Sequence, residues 1–158
     1  MKEKLLFLKG FITNQLLTSN RIFEEIADIN LENYDKKYVF SLKIQQLFTC
    51  LEDVFKNIAK VFENSIDDYS SFHKELLIRM KTEVPEIRPN VINSDSFYLL
   101  DKLRSFRHFI RHGYDYDLKY DDLFFLQTQL KKYYPVVIND INLFLEFIDS
   151  LIKGIGNY

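Results

Sequence analysis

An all-α helical bundle is the fold class that this sequence predicts, and three observations predict it. Apolar residues recur at spacings of three and four over several long stretches, which places them on one face of a helix. No stretch shows the period-two alternation of a half-buried strand. Hydrophobic residues make up 47% and aromatics 16% of the chain against four Gly and three Pro, a composition too rich in core formers and too poor in breakers for disorder. At 158 residues the whole chain, 1–158, is expected to form one domain of four to six helices with an up-down core.

Leu5, Leu8, Ile12 and Leu16, then Ile22, Ile26 and Ile29, follow helical spacing. The run from Thr18 to Asn20 allows a break, so one long or two shorter helices fit. Asp35 is placed to cap a second helix, whose stripe of Ile44, Leu47, Phe48, Leu51, Phe55, Ile58 and Phe62 extends to about Asn64. Ser70 and Ser71 open a short third helix carrying Phe72, Leu76, Leu77 and Met80, which ends before Pro85. Glu83 to Asn93, with Pro85 and Pro89, reads as a loop. Asn93-Ser94-Asp95 offers N-cap chemistry for a helix from about Ser96 to His112, and Gly113 suits the left-handed position that closes a helix. A further helix is expected from about Lys119 to Tyr134, and Pro135 then starts a last one through Leu143, Phe147 and Leu151, ending near Gly154. No internal repeat is present.

Composition also excludes several functions. Cys50 is the only cysteine, so no internal disulfide forms, and no Cys/His cluster has metal-ligand spacing. A reducing cytoplasm is the expected compartment, with neither a metal nor another cofactor. Met1-Lys2-Glu3-Lys4 followed by Leu5 to Leu8 has the outline of a signal peptide, but Lys9, Gly10 and Asn14 interrupt the apolar run, and an amphipathic helix fits better. No stretch approaches the roughly 18 uncharged apolar residues of a membrane-spanning helix, so no membrane insertion is expected. A net charge of −2 argues against a protein that coats nucleic acid non-specifically, because such binding rests on many phosphate contacts. Any nucleic-acid function has to be local.

One local candidate stands out. At about 100° per residue, Arg104, Arg107, His108, Arg111 and His112 fall within a helical sector of roughly 140°. Leu99, Leu103, Phe106, Phe109 and Ile110 fall within roughly 120° on the opposite side and are assigned to the core. Like charges four residues apart destabilise a helix, so something has to offset the repulsion. The plainer reading is a solvated face whose arginines pair with carboxylates on neighbouring helices. The sharper reading is a phosphodiester site. Arginine orients a phosphate and stabilises charge developing on it, while an imidazole of ordinary pKa about 6.5 accepts and donates protons near neutrality. Neither role needs a metal.

Arg107-His108-Phe109-Ile110-Arg111-His112-Gly113-Tyr114 has the spacing Arg, four residues, His, one residue, Tyr, with a polar residue directly after the Arg. This pattern resembles the signature of HepT-like HEPN proteins. The stretch from Phe72-His73-Lys74-Glu75-Leu76-Leu77 through Ile87-Arg88-Pro89-Asn90-Val91 to Phe106-Arg107-His108 resembles one HepT-like subgroup in particular. The resemblance is strong over about residues 70 to 122 and architectural elsewhere. It implies a HEPN-type helical bundle and a metal-independent endoribonuclease toxin of a type VII-like toxin-antitoxin system. Arg107 and His112 would be catalytic, with His108, Arg111 and Arg104 supporting them at the phosphate. It implies a homodimer whose motifs meet across the interface. It also implies a minimal nucleotidyltransferase antitoxin of the MntA type, which silences the toxin by attaching AMP to Tyr114.

Other residues have plainer readings beside the functional ones. His73, in an N-terminal turn, is within reach of a substrate but is expected to make a local hydrogen bond instead, and Arg88 is expected to anchor its loop, with a role near the active site as the alternative that the subgroup resemblance implies. Tyr114-Asp115-Tyr116-Asp117 follows the helix end, where tyrosines stack on unpaired bases or cap a core edge, and Tyr116 competes with Tyr114 as the modified residue. Two alternatives to a ribonuclease remain open. One is a non-catalytic HEPN helical module that docks a nucleotidyltransferase or a nucleotide. The other is a structural interaction protein, whose basic face should be paired internally with acidic residues.

Overall fold

The apolar stripes become the buried faces of five α-helices among the residues that the computed structural model describes, 1–63, 73–113 and 117–156. They are α1 (Lys2–Ala27), α2 (Tyr34–Glu63), α3 (His73–Lys81), α4 (Ser94–His112) and α5 (Tyr120–Ile155). No strand forms among these residues; the one bridge, Val84 to Arg88, closes a tight turn in the α3–α4 loop. The result is the expected all-α bundle. No helix among the described residues is long and apolar enough to cross a membrane.

Cross-links fix the directions. Lys43 pairs with Glu25 and Cys50 Sγ donates to the Gln15 carbonyl, so α1 and α2 run antiparallel. Lys9 pairs with Asp149 at one end of α1, and at the other Gln127 Nε2 donates to the carbonyls of Ile26 and Ile29, so α5 is antiparallel to α1 as well. Phe40, Phe48, Phe55 and Phe144 are fully buried in the core these helices enclose.

Three expectations are corrected, and the choice between one helix and two at Thr18 to Asn20 is decided. The Thr18 to Asn20 run does not break α1: the buried Ser19 hydroxyl is satisfied by the Leu16 carbonyl and the Tyr134 hydroxyl, so it does not compete with the helix. The N-terminus of α2 is held by Asn33, whose Oδ1 accepts from the amides of Asp35 and Lys36 at 3.0 and 3.3 Å, while Asp35 lies in the first turn. Pro135 starts no helix, because α5 runs through it. It sits on the exposed face, where water can satisfy the Lys131 carbonyl that loses its amide partner, and buried Tyr134 and Val137 on either side hold the stripe together. Gly113 adopts φ −89° and ψ 106°, extended rather than left-handed, and its amide donates to the Phe109 carbonyl, so α4 closes without a left-handed residue. The part of the third helix placed at Ser70 to Phe72 lies outside the described residues.

Asp140, buried on α5, accepts from the Asn93 amide (2.9 Å) and the Ser96 hydroxyl (2.6 Å), while Asn93 Oδ1 accepts from the Ser96 amide (2.9 Å). The N-terminus of α4 is thereby tied to α5. Asp140→Ala strands two buried donors and is expected to lose about 2 kcal/mol of stability in urea unfolding. Asp140→Asn, which keeps an acceptor, should lose clearly less.

Candidate active site

The buried face of α4 changes along its length. Ser96, Leu99, Leu100 and Leu103 are fully buried, whereas Phe106 and Ile110 are only partly so. Phe109, assigned to the core from periodicity, is 46% exposed. It stands at the edge of the apolar sector, on the half of the helix where core contact thins, which accounts for its partial exposure. The basic sector therefore lies where α4 leaves the core.

A cavity of about 290 Å³ opens there, lined by Phe48, His73, Arg104, Arg107, His108, Arg111 and His112. All three histidines of the chain line this cavity. The rings of His108 and His112 lie with centroids 4.4 Å apart. All five side chains singled out on α4 thus share one wall, and His73 on α3 with Phe48 on α2 form the rest. Tyr114 and its competitor Tyr116 lie outside the described residues.

Below the arginines sits Glu52 of α2, 2% exposed. Its carboxylate accepts from His73 Nδ1, approaches Lys56 Nζ at 3.3 Å and meets Arg107 Nη1 at 3.5 Å. With Nδ1–H donated to Glu52, a neutral His73 ring leaves Nε2 as an acceptor, the orientation that a carboxylate imposes on a general-base histidine. The Arg107 guanidinium also lies 5.6 Å from the centroid of the Phe48 ring. Burial raises the neighbouring Asp53 carboxyl above its ordinary range; Lys56 and Arg107 oppose the shift and Glu52 adds to it. Cys50 is no nucleophile, since burial, with Asp53 adding, pushes its thiol up to about 11.

The internal pairing that a purely structural face needs is incomplete. Arg104 pairs with Asp101 on its own helix at 2.8 Å, and Arg107 meets Glu52 only at 3.5 Å. Among the described residues Arg111 makes no ion pair. Arg88, by contrast, anchors its loop as expected: buried, it donates to the carbonyls of Arg79, Thr82 and Pro89 and to Glu63.

A family model described as HepT-like protein matches residues 39–148, from early in α2 to the last third of α5. The chain belongs to the HepT-like family. The matched span includes Glu52, His73 and every α4 residue of the cavity, and it leaves α1 outside. No curated protein and no solved structure matches the chain.

Neither Glu52 nor the placement of His73 was read from the sequence of this HepT-like chain. The available signal was Glu52 itself, four residues after Phe48 and three before Phe55, a charge inside an apolar stripe. Removing it leaves Arg107, His73 and Lys56 crowded without their shared counter-charge. Glu52→Ala is expected to cost about 3 kcal/mol in urea unfolding, near the lower end for a broken buried pair because its partners are part-exposed. Glu52→Gln, which still accepts a hydrogen bond, should recover part of that loss.

Proposed function

We propose that the protein is a metal-independent endoribonuclease toxin of a two-component system, acting on RNA through Arg107 and His112. The observation that carries this reading is the convergence of all three histidines and three arginines on one small cavity of a chain belonging to the HepT-like family. In the proposed reaction the ribose 2′-oxygen attacks the adjacent phosphorus, the bond to the 5′-oxygen breaks, and a 2′,3′-cyclic phosphate remains. Arg107 binds the phosphate and stabilises its developing charge, with Arg104 and Arg111 adding to the field. His112 transfers a proton, and His108 beside it offers a second imidazole for the opposite step. The protein acts as a homodimer whose basic faces line a cleft between copies.

The partner in this reading is a minimal nucleotidyltransferase that transfers AMP to the Tyr114 phenol. Only Gly113 separates Tyr114 from His112. An AMP there adds an anion and a nucleoside that compete with RNA for the arginines.

His112→Ala should abolish cleavage of single-stranded RNA yet melt like the wild type, because His112 is exposed. Arg107→Ala should also be inactive but melt lower, since it removes a partner of Glu52. Cleavage should persist in EDTA and yield cyclic phosphate ends on chromatography; full activity of either variant, or a metal requirement, contradicts the assignment. After co-expression with a cognate nucleotidyltransferase, mass spectrometry should find AMP on Tyr114. Tyr114→Phe should stay active and escape silencing, whereas Tyr116→Phe should remain silenceable.

A further inference from the structure

Beside the cavity that gathers the histidines lies a second and larger one, about 650 Å³, between α1 and α2. That volume falls within the roughly 300–1,000 Å³ of typical ligand sites. Arg107 and Arg111 line both cavities, so the two meet at these side chains.

The larger groove is polar on both walls. Gln15, Thr18 and Arg21 follow one another at three-residue spacing on α1. Gln46, Thr49 and Asp53 do the same at three and four residues on α2. Side chains at these spacings share a helix face, so amides and hydroxyls line a trough between two antiparallel helices. Near the α1 C-terminus the Lys43–Glu25 ion pair, 2.6 Å long, ties the walls together. Four basic side chains, Arg21, Lys43, Arg107 and Arg111, stand against the carboxylates of Glu25 and Asp53. This is a local positive excess on a chain of net charge −2. Arg21 makes no ion pair among the described residues. Gln15, Thr18 and Arg21 also fall outside the span 39–148 that the HepT-like family model matches.

We propose that this groove binds the nucleotides of a single-stranded RNA next to the scissile phosphate, an inference that rests on the ribonuclease reading. The strand passes from the histidine-lined cavity over Arg107 and Arg111 into the α1–α2 groove, where Arg21 meets a phosphate and Gln46 and Thr49 face the bases. Arg107 and Arg111 are four residues apart, with Cβ atoms about 5–6 Å from each other on one helix face, and so present two guanidinium groups in succession along the strand. A glutamine amide both donates and accepts, which matches the hydrogen-bonding edges of bases that only an unpaired strand exposes. Cleavage chemistry then resides on α4, and the choice of flanking nucleotide resides on α1 and α2.

The test uses the full-length protein and a fluorescein-labelled 12-nucleotide single-stranded RNA with 2′-fluoro riboses, which cannot be cut, with binding followed by fluorescence anisotropy. Arg21→Ala and the double variant Gln46→Ala/Thr49→Ala should each weaken binding by about fivefold to tenfold without changing the melting temperature. Lys60→Ala, elsewhere on α2, should bind as the wild type does. Arg21→Ala should also flatten the dependence of log affinity on log salt by about 0.7, the loss of one phosphate contact on a single strand. Unchanged affinity and salt slope in the groove variants, with RNA still cut, overturn the groove and leave the ribonuclease reading standing. Groove-dependent binding by a protein that cuts no RNA upholds the groove and removes the ribonuclease. Absence of any RNA binding overturns both. Groove variants that alter the sedimenting species and not RNA affinity overturn the proposal in favour of a contact between copies.

Discussion

The candidate site depends on one buried carboxylate. Taking Glu52 out of water costs several kcal/mol, and only close partners offset it. Its partners come from α2 itself (Lys56), from α3 (His73) and from α4 (Arg107). Because each contact satisfies the same two oxygens, the carboxylate fixes where α3 and α4 stand relative to α2 around the cavity. It also answers the repulsion implicit in a helix that carries three arginines and two histidines on one side. The offset is a single deep charge beneath the face, together with Asp101 beside Arg104, rather than a surface lattice of salt bridges.

The rest of the bundle keeps that face rigid and exposed. Asp140 and Asn93 clamp one end of α4, and the fully buried Leu99, Leu100 and Leu103 seat its first half. Beyond Leu103 the core contact thins to Phe106 and Ile110, so the arginines project from a helix that is anchored upstream but open downstream. A constellation mounted on such a helix is positioned by packing upstream and by a few contacts such as Glu52 to Arg107, which leaves most of its donors available to a ligand.

Much of this was legible in the sequence, and the failures have physical causes. Helical periodicity located α1, α2 and α4 because their buried residues repeat without interruption. It failed at Pro135 and left Thr18 to Asn20 open, because local signals for a break are overruled by tertiary partners: Tyr134, one residue before the proline, bonds Ser19 and Asn20 across the α1–α5 seam. It failed at Phe109 because a helical projection takes no account of where a helix leaves its bundle. The five α4 side chains could be grouped because they share one helix. Glu52 and His73 could not, since Glu52 lies 55 positions before Arg107 and 21 positions before His73. Only the misfit of a glutamate within the Phe48–Phe55 stripe pointed to them.

Two arginines of the same fold show what distinguishes a structural guanidinium from one placed to bind. Arginine has five N–H donors. The Arg88 side chain is 0% exposed, and its two terminal nitrogens serve three carbonyls and Glu63, with Nε alone unpartnered among the described residues. The donors of those two nitrogens are consumed in closing the end of α3 and shaping the loop. The Arg107 side chain is 18% exposed and makes one hydrogen bond among the described residues, at the 3.5 Å limit to Glu52, while its plane rests near Phe48. Glu52 and Phe48 hold the group in place and leave most of its fork unfilled, facing imidazoles. A buried arginine built for stability satisfies its donors within the protein. Arg107 is oriented without being satisfied, which is the state from which a guanidinium can take a bidentate phosphate.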